Sequence, residues 1–91
     1  MSFQNNKKEF RFELIPNEGT LAFLSYRWLK GRMVLLHTFV PEQLRGTGKG
    51  EELVRLVLEY ARKEGLKVIV YCPFVAAFLH RHPEFEDVAA P

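Results

Sequence analysis

The chain has a single cysteine, Cys72. It cannot close an internal disulfide, and it has no paired-cysteine spacing of the kind that holds structural zinc. A reducing, cytoplasmic setting is the expectation. Three histidines are the only other strong nitrogen ligands, too few to change that reading. Long apolar runs are missing as well. None approaches the ~18 residues of a membrane span, and the opening Met1-Ser2-Phe3-Gln4-Asn5-Asn6-Lys7-Lys8 lacks the apolar segment of a signal peptide. Nor does charge of one sign dominate. Thirteen basic and eleven acidic residues leave a net +2, too little to announce nucleic acid. There is no internal repeat and no low-complexity tract.

What remains is a chain of 91 residues with 47% hydrophobic content, which points to one small domain. Such a domain buries roughly 60–70% of its unfolded surface, enough for a core without disulfide or metal staples. Residues 1–8 are polar and expected to fray, giving a flexible segment over 1–9 and a single domain over 10–91. Phe10 to Ile15 alternates apolar and charged residues, the mark of a half-buried strand. Pro16-Asn17-Glu18-Gly19 is a turn cluster. Thr20 to Leu29 reads as a second strand, and the tight turn Lys30-Gly31-Arg32 makes the next strand its antiparallel hairpin partner. Met33 to Val40 is almost continuously apolar, which suits a central strand covered on both faces. His37 interrupts it. Trp28 and the eight phenylalanines are expected in the core.

Pro41 cannot donate to a sheet ladder and should end that strand. From Glu51 to Glu64, apolar residues recur at three- and four-residue steps with charges between them, an amphipathic helix closed by Gly65. Leu66 to Tyr71 reads as a short buried strand. A strand–loop–helix–strand unit should run parallel to its starting strand. Cys72-Pro73 opens a second helix, since proline is favoured at the first helical position, and Pro83 stops it. Glu84 to Val88 reads as a brief edge strand. The fold class is α/β (α+β): a mixed sheet with antiparallel N-terminal strands and one βαβ unit.

Glycines 46, 48 and 50 fall at the strand-to-helix turn of that unit. Glycine lets a ligand approach backbone N–H groups closely. The first N–H groups of a helix lack internal partners and sit at the positive end of its dipole. Together they suit a phosphate or pyrophosphate, although three glycines also make a plain flexible turn. The P-loop pattern fails, because Lys49 is followed by Gly50 rather than by a hydroxyl residue. The dinucleotide pattern fails too, with Glu51 where its third glycine belongs. Gln43-Leu44-Arg45-Gly46-Thr47-Gly48 fits a third pattern, Gln-x-x-Gly-x-Gly. It resembles the coenzyme A pyrophosphate loop of the GNAT (Gcn5-related) N-acetyltransferases. The stretch from His37 to Gly50, with Leu66-Lys67-Val68, Cys72-Pro73-Phe74-Val75 and Arg81-His82-Pro83-Glu84-Phe85, is similar to the very short stand-alone members of that family. The similarity runs from about Phe10 to Val88.

The resemblance implies a minimal GNAT-like acyl-CoA N-acyltransferase fold and an acetyl-CoA-dependent N-acetyltransferase acting on a primary amine. It implies that acetyl-CoA binds where the two parallel strands splay. Backbone groups of Thr38, Phe39 and Val40 would meet the pantetheine arm. The N–H groups of Arg45, Gly46, Thr47, Gly48, Lys49 and Gly50 would cradle the pyrophosphate. The acceptor would be a protein lysine, an N-terminus or a small amine. With so little chain outside the cofactor site, an exposed acceptor is favoured, or a pocket completed by a second subunit, so a monomer or a weak homodimer is expected.

The catalytic candidates are Cys72 and His37. Larger family members use a glutamate on the central strand or a tyrosine on the last helix; Met33 to Val40 carries no acid, and His80 stands near the tyrosine's place. Cys72 directly precedes a helix, where a thiolate is stabilised. His37 on the neighbouring strand could act as its base. Cys72 could accept the acetyl group, or His37 could deprotonate the amine while Cys72 protonates the leaving sulfur. The plainer alternatives are a buried apolar cysteine and a hydrogen-bonded core histidine. His80 and His82 read as surface or helix-end residues. Two rival functions stand beside this one. The first is a non-catalytic acyl-CoA-binding module. The second, placed last, is a nucleotide- or nucleic-acid-binding domain that uses the glycine loop for phosphate. That one requires a basic stripe with exposed aromatics, whereas the basic residues alternate with acids along the sequence.

Overall fold

A computed structural model describes residues 1–90. Alternation decides its first strands. In β2 (Arg11–Ile15) and β3 (Ala22–Leu29), Phe12 lies opposite Leu24 and Leu14 opposite Ala22. All four are fully buried. β4 (Arg32–Phe39) returns antiparallel to β3 through the Lys30-Gly31 turn. The amphipathic helix α1 (Lys49–Lys63) turns Leu53, Val54, Val57, Leu58 and Ala61 into the core. It packs over β2 and β3. Gly65, at φ 70°, ends it: the Gly65 N–H donates to the Arg62 carbonyl and the Leu66 N–H to the Ala61 carbonyl. This paired closure is the Schellman motif. β5 (Val68–Val70) then pairs parallel with β4, and α2 (Pro73–Arg81) packs over both. Val75 and Phe78 complete one continuous core. The sheet is mixed, with five strands in sequence order.

Four expectations change. Ser2–Asn6 does not fray; it is an edge strand, β1, paired antiparallel with β2 from Ser2–Ile15 to Asn6–Arg11. Two contacts hold it. Phe3 stacks on Phe12 at 5.8 Å, and the Gln4 and Asn6 side chains donate to the Glu13 carboxylate at 2.6 and 2.9 Å. Glu84 to Val88 is not a strand. A 3-10 turn, Pro83–Phe85, leads to a single bridge between Ala89 and Val68. The Arg62 guanidinium pins that segment at the Asp87 carboxylate (2.6 Å) and the Glu84 carbonyl (2.7 Å). β4 is covered on both faces only over Met33–Leu35; Leu36, His37 and Phe39 are exposed. Trp28 is 48% exposed, and Phe10, Phe39 and Phe74 are also at the surface. The remaining shifts are at element ends: α1 starts at Lys49 rather than Glu51, and β5 keeps only three residues.

Glu13 is the only buried charged residue among the described residues. Burial pushes its carboxyl up, but the Asn6 and Gln4 amides and the Arg11 guanidinium (2.7 Å) outweigh that and hold it below the ordinary glutamate range. A carboxyl lowered on folding adds stability above its unfolded pKa. That stability disappears as the pH falls through the folded value. Glu13→Gln keeps the shape but loses the charge-assisted bonds, and should cost about 2 kcal/mol at neutral pH. Urea titrations run between about pH 6 and pH 3 should show the wild type losing that advantage in acid, with a flatter profile for the variant.

Candidate functional site

The parallel ladder between β4 and β5 has three rungs and ends at Leu35–Val70. The Leu35 carbonyl closes it by accepting from both the Tyr71 N–H (3.0 Å) and the Cys72 N–H (3.1 Å). The next residue, Leu36, has no partner on β3: Tyr26 faces Leu35, and Ser25 faces His37. One extra residue on one strand is a β-bulge, which bends that strand away. From His37 to Phe39, β4 pairs only with β3, so backbone donors and acceptors on its other edge face a gap.

The loop beyond the gap is held by its own backbone. A 3-10 turn, Glu42–Leu44, buries Leu44. The Thr47 hydroxyl donates to the Leu44 carbonyl, and the Arg45 Nε donates to the Val40 carbonyl at 3.1 Å. Gly46 and Gly48 adopt φ of 77° and 81°, the left-handed region that disfavours any Cβ. Gly48 is the N-cap of α1 and offers no side-chain cap, which leaves the first-turn N–H groups open. Gly50 is a different case. It is buried, and a Cβ there would lie 2.9 Å from Phe74 Cζ and 3.0 Å from Val40 Cγ2. Its bare Cα lets the start of α1 meet the start of α2. The result is a cleft of about 440 Å³, with Val40, Leu44 and Phe74 as its apolar side and Gly46, Gly48 and Gly50 as its backbone side.

Of the residues singled out from the sequence, Val40, Arg45, Gly46, Gly48 and Gly50 line this cleft. Lys49 is turned to Glu52 at 3.2 Å, and Thr47 serves the loop itself. Phe39 stacks on Phe23 at 5.2 Å. Cys72 is the N-cap of α2, 3% exposed, with Pro73 following it. Its Sγ lies 3.3 Å from Thr38 Oγ1, and either atom can be the donor. The expected pairing of Cys72 with His37 is not formed. Thr38 lies opposite core Leu24 and His37 opposite Ser25, so period-2 alternation sends them to opposite faces. The His37 ring is exposed, edge-on to Phe23 at 6.4 Å. His80 is on the surface, and His82 ends α2, stacked on Phe78 at 4.2 Å. Sequence reasoning missed Leu44 and Phe74 as cleft walls. It also assigned Thr38 only a backbone role.

The model of a family described as GCN5-related N-acetyl-transferase matches residues 11–88. Protein NATD1 of Bos taurus is 33% identical over 63 residues, which cover 68% of this chain and 56% of that protein. Protein NATD1 of Homo sapiens is 32% identical with the same coverage. The chain thus spans about half the length of the curated relatives it matches. The NMR solution structure of a GCN5-like protein from Staphylococcus aureus superposes with a TM-score of 0.75 at 30% identity, covering 98% of this chain and 87% of that one. The chain belongs to the GCN5-related N-acetyltransferase family.

Proposed function

We propose that this chain transfers an acetyl group from acetyl-CoA to a primary amine, with a protein side chain as the favoured acceptor. The observation that carries the reading is the parting of β4 from β5 at Leu35, beside the uncapped, glycine-built start of α1. Three features support coenzyme A. The Arg45 and Thr47 N–H groups, expected in the cradle, are already given to the Glu42 and Leu44 carbonyls, so the N–H groups of Gly46, Gly48, Lys49 and Gly50 are the ones that suit the pyrophosphate. Val40, Leu44 and Phe74 give the cleft an apolar side that suits the uncharged part of the arm. The unpaired edge of β4 at Thr38 and Phe39, continued by Val40, whose carbonyl already accepts from Arg45, suits an amide-bearing arm, which would hydrogen-bond like an added strand. Arg45 supplies positive charge nearby. The bound thioester supplies the activated acyl group.

The two candidate side chains take separate tasks. Cys72 has a hydroxyl rather than a base as its partner, which supports a proton donor more than a nucleophile. The amine nitrogen attacks the carbonyl carbon, the C–S bond breaks, and the Cys72 S–H protonates the departing sulfur. The Thr38 hydroxyl holds the Cys72 proton in place and returns one from solvent. His37, on the opposite face and open to solvent, takes the proton the amine loses. A lone free thiol suits a reducing compartment. A binding module without turnover is the second reading, favoured by the buried Cys72 thiol having a hydroxyl and no base as its hydrogen-bond partner among the described residues.

Calorimetric titration with acetyl-CoA and free CoA tests the first step. Wild type should bind in the micromolar range, and Gly48→Trp, which puts a bulky ring over the open start of α1 where a Cβ meets nothing within 4 Å, should lose at least about tenfold in affinity. No binding by wild type overturns the reading. Steady-state acetylation of lysine peptides tests the second step. Cys72→Ala and His37→Ala should each lower kcat by roughly a hundredfold or more while acetyl-CoA affinity stays within about twofold. Thr38→Val should shift the pH profile of kcat and Thr38→Ser should restore it. Tight binding with no acetylation of any amine would assign the chain as a binding module.

A further inference from the structure

An acceptor must reach the gap between β4 and β5 from one of its two sides. The helices occupy one side. Thr38 lies opposite core Leu24 there and touches Cys72. Val40, Leu44 and Phe74 wall the cleft assigned to the cofactor on that side. Both helices send their apolar residues into this one core. The other side is the second face of the sheet. Strand alternation places Phe23, Ser25, His37 and Phe39 on it. Leu35 is buried in the core, so alternation turns Leu36 outward, and the bulge keeps His37 on the same side.

These side chains form an apolar shelf beside the gap. Phe23 and Phe39 stack at 5.2 Å, and His37 stands edge-on to Phe23 at 6.4 Å. Phe39 and Leu36 are 39% and 36% exposed, and His37 is exposed as well. A cation already rests on this shelf: the Arg11 guanidinium lies 4.6 Å over the Phe23 ring. Aromatic faces attract cations through their quadrupole. The only acid on this face of β2, β3 and β4 is Glu13, opposite Phe23, and its carboxylate is already bonded to Gln4, Asn6 and Arg11. A free carboxylate beside an amine would hold the proton on it. Rings hold an ammonium without forming an ion pair, so His37 can take its proton.

We propose that this shelf receives the acceptor, and that the acceptor is a lysine with an apolar neighbour in an exposed protein segment. The lysine stem lies across Phe23 and Phe39, its nitrogen comes to His37 at the gap, and the neighbour rests on Leu36. Phe23 and Leu36 are thus specificity-determining residues. The task of His37 carries over from the acetyl-transfer reading, on which this acceptor rests. The transfer itself is the same: the nitrogen–acyl bond forms, the C–S bond breaks, His37 takes the amine proton and Cys72 gives one to the sulfur. Two points select a lysine. His37 and Phe39, two residues apart on one face, lie roughly 7 Å apart along the strand, close to the length of its side chain. Its methylenes also bury on apolar surface while the charged head stays free, which an N-terminal amine cannot match. The shelf is an open sheet face, and small ligands are held in enclosing pockets.

Nuclear magnetic resonance of the isotope-labelled full chain, with CoA bound, reads the docking without turnover. The capped peptide Ala-Leu-Lys-Leu-Ala should shift the amides of Phe23, Ser25, His37 and Phe39. In steady-state acetylation its KM should be at least about fivefold below that of the same peptide with serines for leucines, and Leu36→Ser should erase the difference. Phe23→Ala should raise the KM for the leucine peptide about tenfold, with kcat within about twofold, and Phe23→Tyr should restore it. Far-UV circular dichroism and acetyl-CoA titration check that each variant is folded. Shifts confined to other residues, equal KM for the two peptides, or a KM that Phe23→Ala leaves unchanged overturns the proposal. Movement of the four amides on concentrating the chain without peptide also overturns it, and assigns the face to a second copy. Peptide acetylation with shifts elsewhere overturns the docking alone. Peptide shifts at the four amides with no acetylation of any amine support the docking and overturn acetyl transfer alone.

Discussion

One extra residue, Leu36, governs the working end of this protein. Without it β4 would continue beside β5 and close its backbone edge with ladder hydrogen bonds. With it, the Leu35 carbonyl takes the last two N–H groups of the parallel partner and the strands part. Unpaired backbone groups are costly when buried, so an opening of this kind persists only where water or a ligand can satisfy them. The gap is also where the chain leaves β4 for the glycine loop. The same divergence that exposes an edge for an amide-bearing ligand thus delivers the positive end of α1 beside it.

The glycines act in two ways. Gly46 and Gly48 let the backbone turn through conformations that side chains resist. Gly50 removes volume, so that α1 can begin against Phe74 and Val40. The first is a local conformational requirement, and the second exists only because α2 arrives from elsewhere in the sequence. Behind the loop, the apolar stripe of α1 is buried among Phe12, Leu14, Leu24 and Tyr26. That packing makes the helix start a fixed platform rather than a frayed end.

Polar residues secure the periphery of this small sheet. The Glu13 carboxylate gathers Gln4, Asn6 and Arg11, binding the first strand to the second. Arg62 reaches Asp87 and the Glu84 carbonyl, and Lys67 donates to the Asp87 carbonyl, fastening the C-terminal segment beside β5. Both anchors join residues that are polar in sequence and look dispensable there. The first fixes the edge strand β1 in the sheet, and the second lays the C-terminal segment along β5, where an open ladder would otherwise be presented.

Much of the architecture was legible in the residues themselves. Period-2 alternation in Arg11–Ile15, the three- and four-residue spacing of Leu53 to Ala61, and the stops at Pro41, Gly65 and Pro83 each report a local backbone preference. So does the glycine loop, whose place between strand and helix follows from its neighbours. These signals determined the order of elements from β2 to α2, the mixed sheet and the loop that lines the first cleft. What depends on contacts distant in sequence was not legible. Ser2–Asn6 is a strand because Phe3 finds Phe12 and Gln4 finds Glu13. Cys72 faces Thr38 rather than His37 because strand register, set by the hairpin and shifted by one residue at Leu36, assigns each side chain its face. Local preference is written residue by residue, whereas register and the meeting of remote side chains are decided only when the sheet closes on its helices.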